Sequence, residues 1–207
     1  MLGVYNYTVV LTYISTLISF FGVTLALAGD ARRALICLML SGLCDMFDGQ
    51  IAATKKDRTV SQRRFGIQID SLSDLICFGV LPAIIVYSSY AGESILSAIF
   101  CPLYLLCALI RLAWFNVDEE ERQQTTAQRR DHYLGLPVTS LSLLLPAVIC
   151  AGYKFHWPLH IITPILLGVT GVAFLTPFRL KKPHLAAQAA LFLLGVAVLV
   201  VLRRVVA

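Results

Sequence analysis

Charge is what this sequence has least of. Only 14% of its 207 residues are Asp, Glu, Lys or Arg, against about a quarter in soluble globular domains. With 58% hydrophobic residues and a mean hydropathy of +0.78, that shortage excludes an ordinary water-soluble globule. Paired cysteine spacings are also missing. Cys37, Cys44, Cys77, Cys101, Cys107 and Cys150 all lie in apolar stretches, which argues against zinc or a secreted disulfide framework and for small, buried, reduced thiols. There is no repeat of fixed period and no low-complexity tract. The opening MLGVYNYT lacks the positive n-region of a cleaved signal, so the first apolar run is read as a retained span.

What is present is a succession of long apolar runs. A membrane helix needs about 20 apolar residues, so the chain has room for roughly six or seven spans and no separate soluble domain. Seven segments are marked, at 8–28, 31–53, 66–90, 94–115, 136–153, 157–176 and 185–202. The expected fold is an all-α, polytopic membrane bundle of six to seven transmembrane helices, one domain over 1–207, with 177–207 an extra C-terminal span outside the core. Two connections are large enough to cover a site, the basic stretch 54–65 and the mixed-charge stretch 116–135.

The net charge of +5 would suggest nucleic acid in a soluble protein. Here the basic residues sit in short loops, so they report topology and anionic lipid, and no nucleic-acid partner is expected. With the N-terminus in the cytosol, loops 55–64, 122–130 and 179–182 carry five, three and three Lys or Arg. The opposite side carries Arg32, Arg33, Lys154, Arg203 and Arg204. Eleven against five obeys the positive-inside rule.

Four carboxylates stand where carboxylates are costly. Asp45, Asp48, Asp70 and Asp74 fall inside or at the ends of apolar spans, and each costs at least about 2.5–3.5 kcal/mol on insertion scales. Spacings of three and four place each pair on one helix face. Two such faces can meet, and the cluster would repel itself unless cations neutralised it. Oxygen-only ligands point to hard ions such as Mg²⁺, Mn²⁺ or Ca²⁺, since His132, His156, His160 and His184 all lie elsewhere. The alternative, that these residues are polar glue between helices or a proton relay, leaves four charges poorly explained. Gly49 and Ala52 on the turn after Asp48, and Gly66 one turn before Asp70, leave both stripes open enough for a phosphate ester to lie between them.

The segment DMFDGQIAATKKDRTVSQRRFGIQIDSLSD, Asp45 to Asp74, resembles the signature of the CDP-alcohol phosphotransferases, D-x-x-D-G-x-x-A-R, a spacer, then G-x-x-x-D-x-x-x-D. Asp45, Asp48, Gly49, Ala52, Gly66, Asp70 and Asp74 all fall where that pattern requires. Two departures concern the loop side. Ala53 stands where the family usually has arginine, and the spacer before Gly66 is longer than the common one. Lys55, Lys56 or Arg58 is positioned to substitute, although a lysine does not reproduce a bidentate fork. If the first two supply the missing cation, neutralising both raises the KM for the nucleotide substrate.

Beyond the signature, FGIQIDSLSDLICFGVLPA, RLAWFNV and GLPVTS resemble the phosphatidylserine synthase branch of that family, over roughly residues 8–150. The resemblance implies CDP-diacylglycerol and L-serine as substrates, CMP as a product, two Mg²⁺ or Mn²⁺ ions per site, and a homodimer. It also implies metal ligation by Asp45, Asp48 and Asp70, with Asp74 completing the cluster and serving as base. Asp48, Gly49, Ala52 and Gly66 are the expected CDP-diacylglycerol contacts. Serine's carboxylate needs a cation, for which Arg111, beside Asn116 in RLAWFN, is the candidate, ahead of Arg129 or Arg130; snorkelling is its ordinary alternative. Trp114, Tyr133 and Trp157 read as interface anchors. The expected setting is a prokaryotic plasma membrane with the site facing the cytosol. Competing readings are a synthase using glycerol 3-phosphate or an inositol phosphate and, from another class, a cation transporter. No inverted repeat favours the latter.

Overall fold

A computed structural model describes residues 3–90, 94–125, 132–181 and 193–202. Eight α-helices carry these residues: α1 Tyr7–Leu27, α2 Ala31–Thr54, α3 Val60–Asp74, α4 Leu81–Ser89, α5 Ile95–Thr125, α6 Leu141–Phe155, α7 Leu159–Leu175 and α8 Leu193–Leu202. Five stretches are long and apolar enough to cross a membrane, the third being the continuous run Val60–Ser89 through α3 and α4; α7 and α8 are shorter apolar helices. This is the polytopic helical bundle expected. Phe20, Phe21, Val169 and Val172 point outward, as lipid-facing residues do. The six cysteines are free and buried or half-buried.

Small residues set the helix contacts, because in lipid the gain comes from close approach rather than from hydrophobic exclusion. A Cβ on Gly22 of α1 would stand 2.8 Å from the Cys37 Cβ of α2, and one on Gly42 would strike Ser142 of α6. Between α5 and α7, Gly171 lies against Cys107, and the Tyr104 and Phe174 rings pack with centroids 5.6 Å apart. α8 buries Val198 and Leu202 in the same core as Leu145 and Ile149 of α6.

Between α3 and α4 the helix widens into a π-helical stretch, Leu75–Val80. The cause is in the sequence. In an α-helix the Phe78 carbonyl would accept from residue 82, but Pro82 has no N–H and its ring presses on that carbonyl. A wider turn relieves the clash, and the buried Tyr104 hydroxyl of α5 donates to the Phe78 carbonyl instead. Asp74 is the last residue before this stretch.

Helices run further than hydropathy alone implies. The 54–65 connection shrinks to residues 55–59, because Thr59 opens α3 with a capping box: its hydroxyl accepts from Gln62 N–H at 3.2 Å, and the Gln62 side chain accepts from Thr59 N–H at 3.3 Å. α5 continues through the acidic run to Thr125, well past the expected end at 115. The remainder of the 116–135 connection includes a strand, His132–Leu134, paired antiparallel with Arg179–Lys181. Gly135 follows with φ +73°; its N–H donates to the Phe178 carbonyl at 2.7 Å, and a Cβ there would meet the Phe174 carbonyl at 2.9 Å. Only glycine fits that turn.

These contacts bring one set of helix ends together. The Tyr7 hydroxyl at the start of α1 lies 3.3 Å from Thr54 Oγ1 at the end of α2, Gln68 of α3 donates to Glu120 of α5 at 3.0 Å, and the ribbon joins 132–134 to 179–181. They are the ends that carry the three basic loops.

Candidate active site

Two neighbouring helices present the four carboxylates to one another. α2 supplies Asp45 and Asp48, α3 supplies Asp70 and Asp74, and one carboxylate oxygen from each of Asp45, Asp70 and Asp74 lies within 4.8 Å of the other two. Asp48 lies three residues after Asp45 on the same face of α2. All four side chains are half-buried, so they are taken out of bulk water yet reachable by a ligand. None of them forms an ion pair with a basic residue among the described residues. Four such groups at this separation repel, and the repulsion is offset when a cation sits among them. The donor set is entirely oxygen, which suits a hard divalent ion.

A seam of hydroxyls from α1 stands behind the cluster. Thr12 Oγ1 donates to Asp48 Oδ2 at 3.4 Å, and Thr16 Oγ1 donates to Ser73 Oγ at 2.8 Å. Deeper in the bundle, Ser15 Oγ lies 3.3 Å from Cys77 Sγ, and Ser19 Oγ 2.7 Å from Ser41 Oγ. The last turn of α3 is therefore held by α1 through Ser73, which flanks the stripe of its carboxylates. These residues were not singled out in the sequence, yet a signal was there: Thr8, Thr12, Ser15, Ser19, Gly22 and Ala26 alternate spacings of four and three along the first apolar run, and all six are buried.

On its other side α3 is tied to α5. Ser71 Oγ donates to Asn116 Oδ1 at 2.5 Å, Asn116 Nδ2 donates to Gln68 Oε1 at 3.1 Å, and Gln68 passes on to Glu120. Asn116, expected beside the acceptor, thus has both ends of its amide engaged by α3. Arg111 lies on α5 and is only 8% exposed, as an inward residue and not one that snorkels to the surface. Arg129 and Arg130 fall outside the described residues, as does the side chain of Tyr133. Trp114 and Trp157 are exposed, which suits interface anchors.

The small residues of the signature sit toward the 55–59 loop. A Cβ on Gly49 would meet nothing within 4 Å, so that surface is open. The Ala52 carbonyl accepts from Arg58 Nη1 at 3.1 Å, and a Cβ on Gly66 would come 3.2 Å from Arg58 Nη2. Of the three basic residues weighed as substitutes for the absent arginine, Arg58 is the one placed against the signature. Lys55 turns to Asp57, at 3.5 Å.

Comparison with known proteins settles the family. The profile of the CDP-alcohol phosphatidyltransferase family matches residues 5–201. The chain belongs to that family. Among similar proteins is the archaetidylserine synthase of Methanothermobacter thermautotrophicus, 30% identical over 134 residues, 65% of this chain and 53% of that protein. The CDP-diacylglycerol–serine O-phosphatidyltransferase of Mycobacterium tuberculosis is 23% identical over 177 residues, 84% of this chain and 60% of that one. The Bacillus subtilis protein of the same name is 27% identical over 164 residues, 78% of this chain and 80% of its own length. The chain thus spans a little over half the length of the first two. In this CDP-alcohol phosphatidyltransferase the family signature occupies α2, the short loop and α3, and the carboxylates it contributes converge.

Proposed function

We propose that the protein transfers the phosphatidyl group of CDP-diacylglycerol to L-serine and releases CMP. The observation that carries this reading is the convergence of Asp45, Asp70 and Asp74 within 4.8 Å, with Asp48 on the same face of α2 as Asp45, in a family member whose relatives include serine phosphatidyltransferases. Asp45, Asp48, Asp70 and Asp74 would hold Mg²⁺ or Mn²⁺, which when bound would supply positive charge to offset that of the diphosphate and of the leaving CMP.

The chain's own groups then have distinct tasks. Asp45 and Asp48, one turn apart on α2, and Asp70 on α3 bring the two helices to one ligand set. The bare surface at Gly49, with Ala52 and Gly66, admits the nucleotide end of the donor. Asp74 accepts the serine hydroxyl proton as that oxygen attacks the lipid-side phosphorus; its place at the head of the widened turn gives it a backbone fixed by α5 through Tyr104. Arg111 meets the serine carboxylate, and Asn116, through Ser71 and Gln68, holds α3 at the distance from α5 that the acceptor needs. The diacylglycerol tails stay in the bilayer while serine arrives from water.

The excess of basic residues on the loops that surround the site supports a cytosolic-facing site, and the proposed setting is a prokaryotic plasma membrane. The working unit is taken to be a homodimer. The test is CMP release from CDP-diacylglycerol by purified protein. Release is expected only with both a divalent cation and serine; strong release in chelator would sink the metal reading. Turnover with glycerol 3-phosphate or an inositol phosphate but not serine would keep the chemistry and change the acceptor.

A further inference from the structure

Arg58 is the basic side chain of the short loop that lies against Ala52 and Gly66 of the signature, and the way it is held leaves part of it unused. Nη1 is spent on the Ala52 carbonyl at the end of α2, at 3.1 Å. Nη2 lies over Gly66, 3.2 Å from where a Cβ would be, so an alanine there would crowd the guanidinium. Nε is buried and has no hydrogen-bond partner. A buried N–H donor without an acceptor is costly. Burial and the neighbouring Arg63 also both work against the charge, drawing the Arg58 pKa below its ordinary value. An anion beside the guanidinium would give Nε an acceptor and offset the other two penalties.

The position decides which anion. Gly66, Asp70 and Asp74 form one stripe at spacings of four along α3, and Arg58 covers its loop-side end, outside the last turn of α2. A donor that lies along this stripe with its tails in the bilayer turns its water-soluble half toward that end. We propose that Arg58 binds the phosphate of the cytidylate half of the substrate, the phosphate that departs with CMP, using the free Nε–H with an Nη–H as a two-point fork. This rests on the CDP-dependent reading above. It gives a reason for glycine at 66, which leaves room for the fork, and it makes Arg58 specific for the nucleotide side and not for the acceptor.

The test uses full-length protein in detergent micelles, with CMP as the ligand and Mn²⁺ as the metal, both followed at equilibrium without turnover. Arg58→Gln is expected to weaken CMP binding tenfold or more while Mn²⁺ binding alone, read by its electron spin resonance signal, stays as in the wild type. Arg58→Lys, which keeps a charge and a donor for the Ala52 carbonyl but loses the fork, is expected between the two. Wild-type CMP affinity in Arg58→Gln overturns the proposal and leaves the proposed function standing. Parallel loss of Mn²⁺ binding in both Arg58 variants overturns it differently, by making Arg58 a brace between α2 and α3. Wild-type protein that takes Mn²⁺ but no CMP removes the proposed function and this inference together.

Discussion

The seam between α1 and α2–α3 and the seam between α5 and α7 solve the same problem in opposite ways. The first is lined by Thr12, Ser15, Thr16, Ser19, Ser41 and Ser73, bonded to one another, to backbone or, for the Thr12 hydroxyl, to Asp48. The second packs Phe100 on Gly168 and Tyr104 on Phe174. Hydroxyl pairs inside a membrane protein contribute on average only about 0.6 kcal/mol each, so the polar seam is not explained by stability. It lies behind the carboxylates, and what it supplies is orientation. The apolar seam carries none of the four carboxylates, and what it supplies is packing. Substitutions on the two should therefore separate function from folding.

The largest effect belongs to the carboxylates themselves. Asp45→Asn, Asp48→Asn and Asp70→Asn are each expected to abolish CMP release and to weaken Mn²⁺ binding measured without turnover, whereas Asp74→Asn stops release but keeps CDP-diacylglycerol binding. Near-normal turnover in Asp74→Asn at saturating metal would remove its role as base. Next is Gly168→Leu on the apolar seam, where even a Cβ would stand 2.5 Å from the Phe100 ring. Overpacking of this kind costs about 1–3 kcal/mol, so melting temperature falls while the folded fraction turns over at the wild-type rate. A change in metal dependence there would erase the division between the seams.

Smaller effects sharpen the same division. Thr12→Val keeps shape and removes the hydroxyl that reaches Asp48; the expected result is weaker Mn²⁺ binding, by up to about tenfold, with little change in melting, and recovery in Thr12→Ser. Ser19→Ala, further from the carboxylates on the same seam, is expected to cost about 0.6 kcal/mol of stability and to leave metal binding alone. Neutralising Lys55 and Lys56 together is expected to change least. The Arg58 geometry takes over the role that the loop lysines were weighed for, so an increased KM in that double variant would return it to them.

The site was legible because it is local. Asp45 to Asp74 lie on adjacent helices, so spacings of three and four along the sequence were enough to put the carboxylates on facing stripes. Helix ends were harder, because polar residues such as Gln62 to Arg64 and Asp118 to Arg122 continue helices beyond the apolar run and resemble loops by composition. Thr59 and Gln62, a hydroxyl and an amide three apart, carried the correct start of α3. The pairing of His132–Leu134 with Arg179–Lys181 depends on segments that meet only after two helices have folded, and neither segment announces its partner. Pro82 was readable as a disturbance. That Tyr104 answers it was not, since that contact is made between spans.

The donor that completes the Phe78 carbonyl also sets an order of events during synthesis. The third span leaves the ribosome before α5, and a carbonyl without a donor in hydrocarbon costs several kcal/mol. Until Tyr104 enters the bilayer, that carbonyl lacks its side-chain donor, and the turn that follows Asp74 lacks the brace that α5 gives it. The carboxylate hairpin can insert early, but its last residue acquires its final position only when the following span arrives.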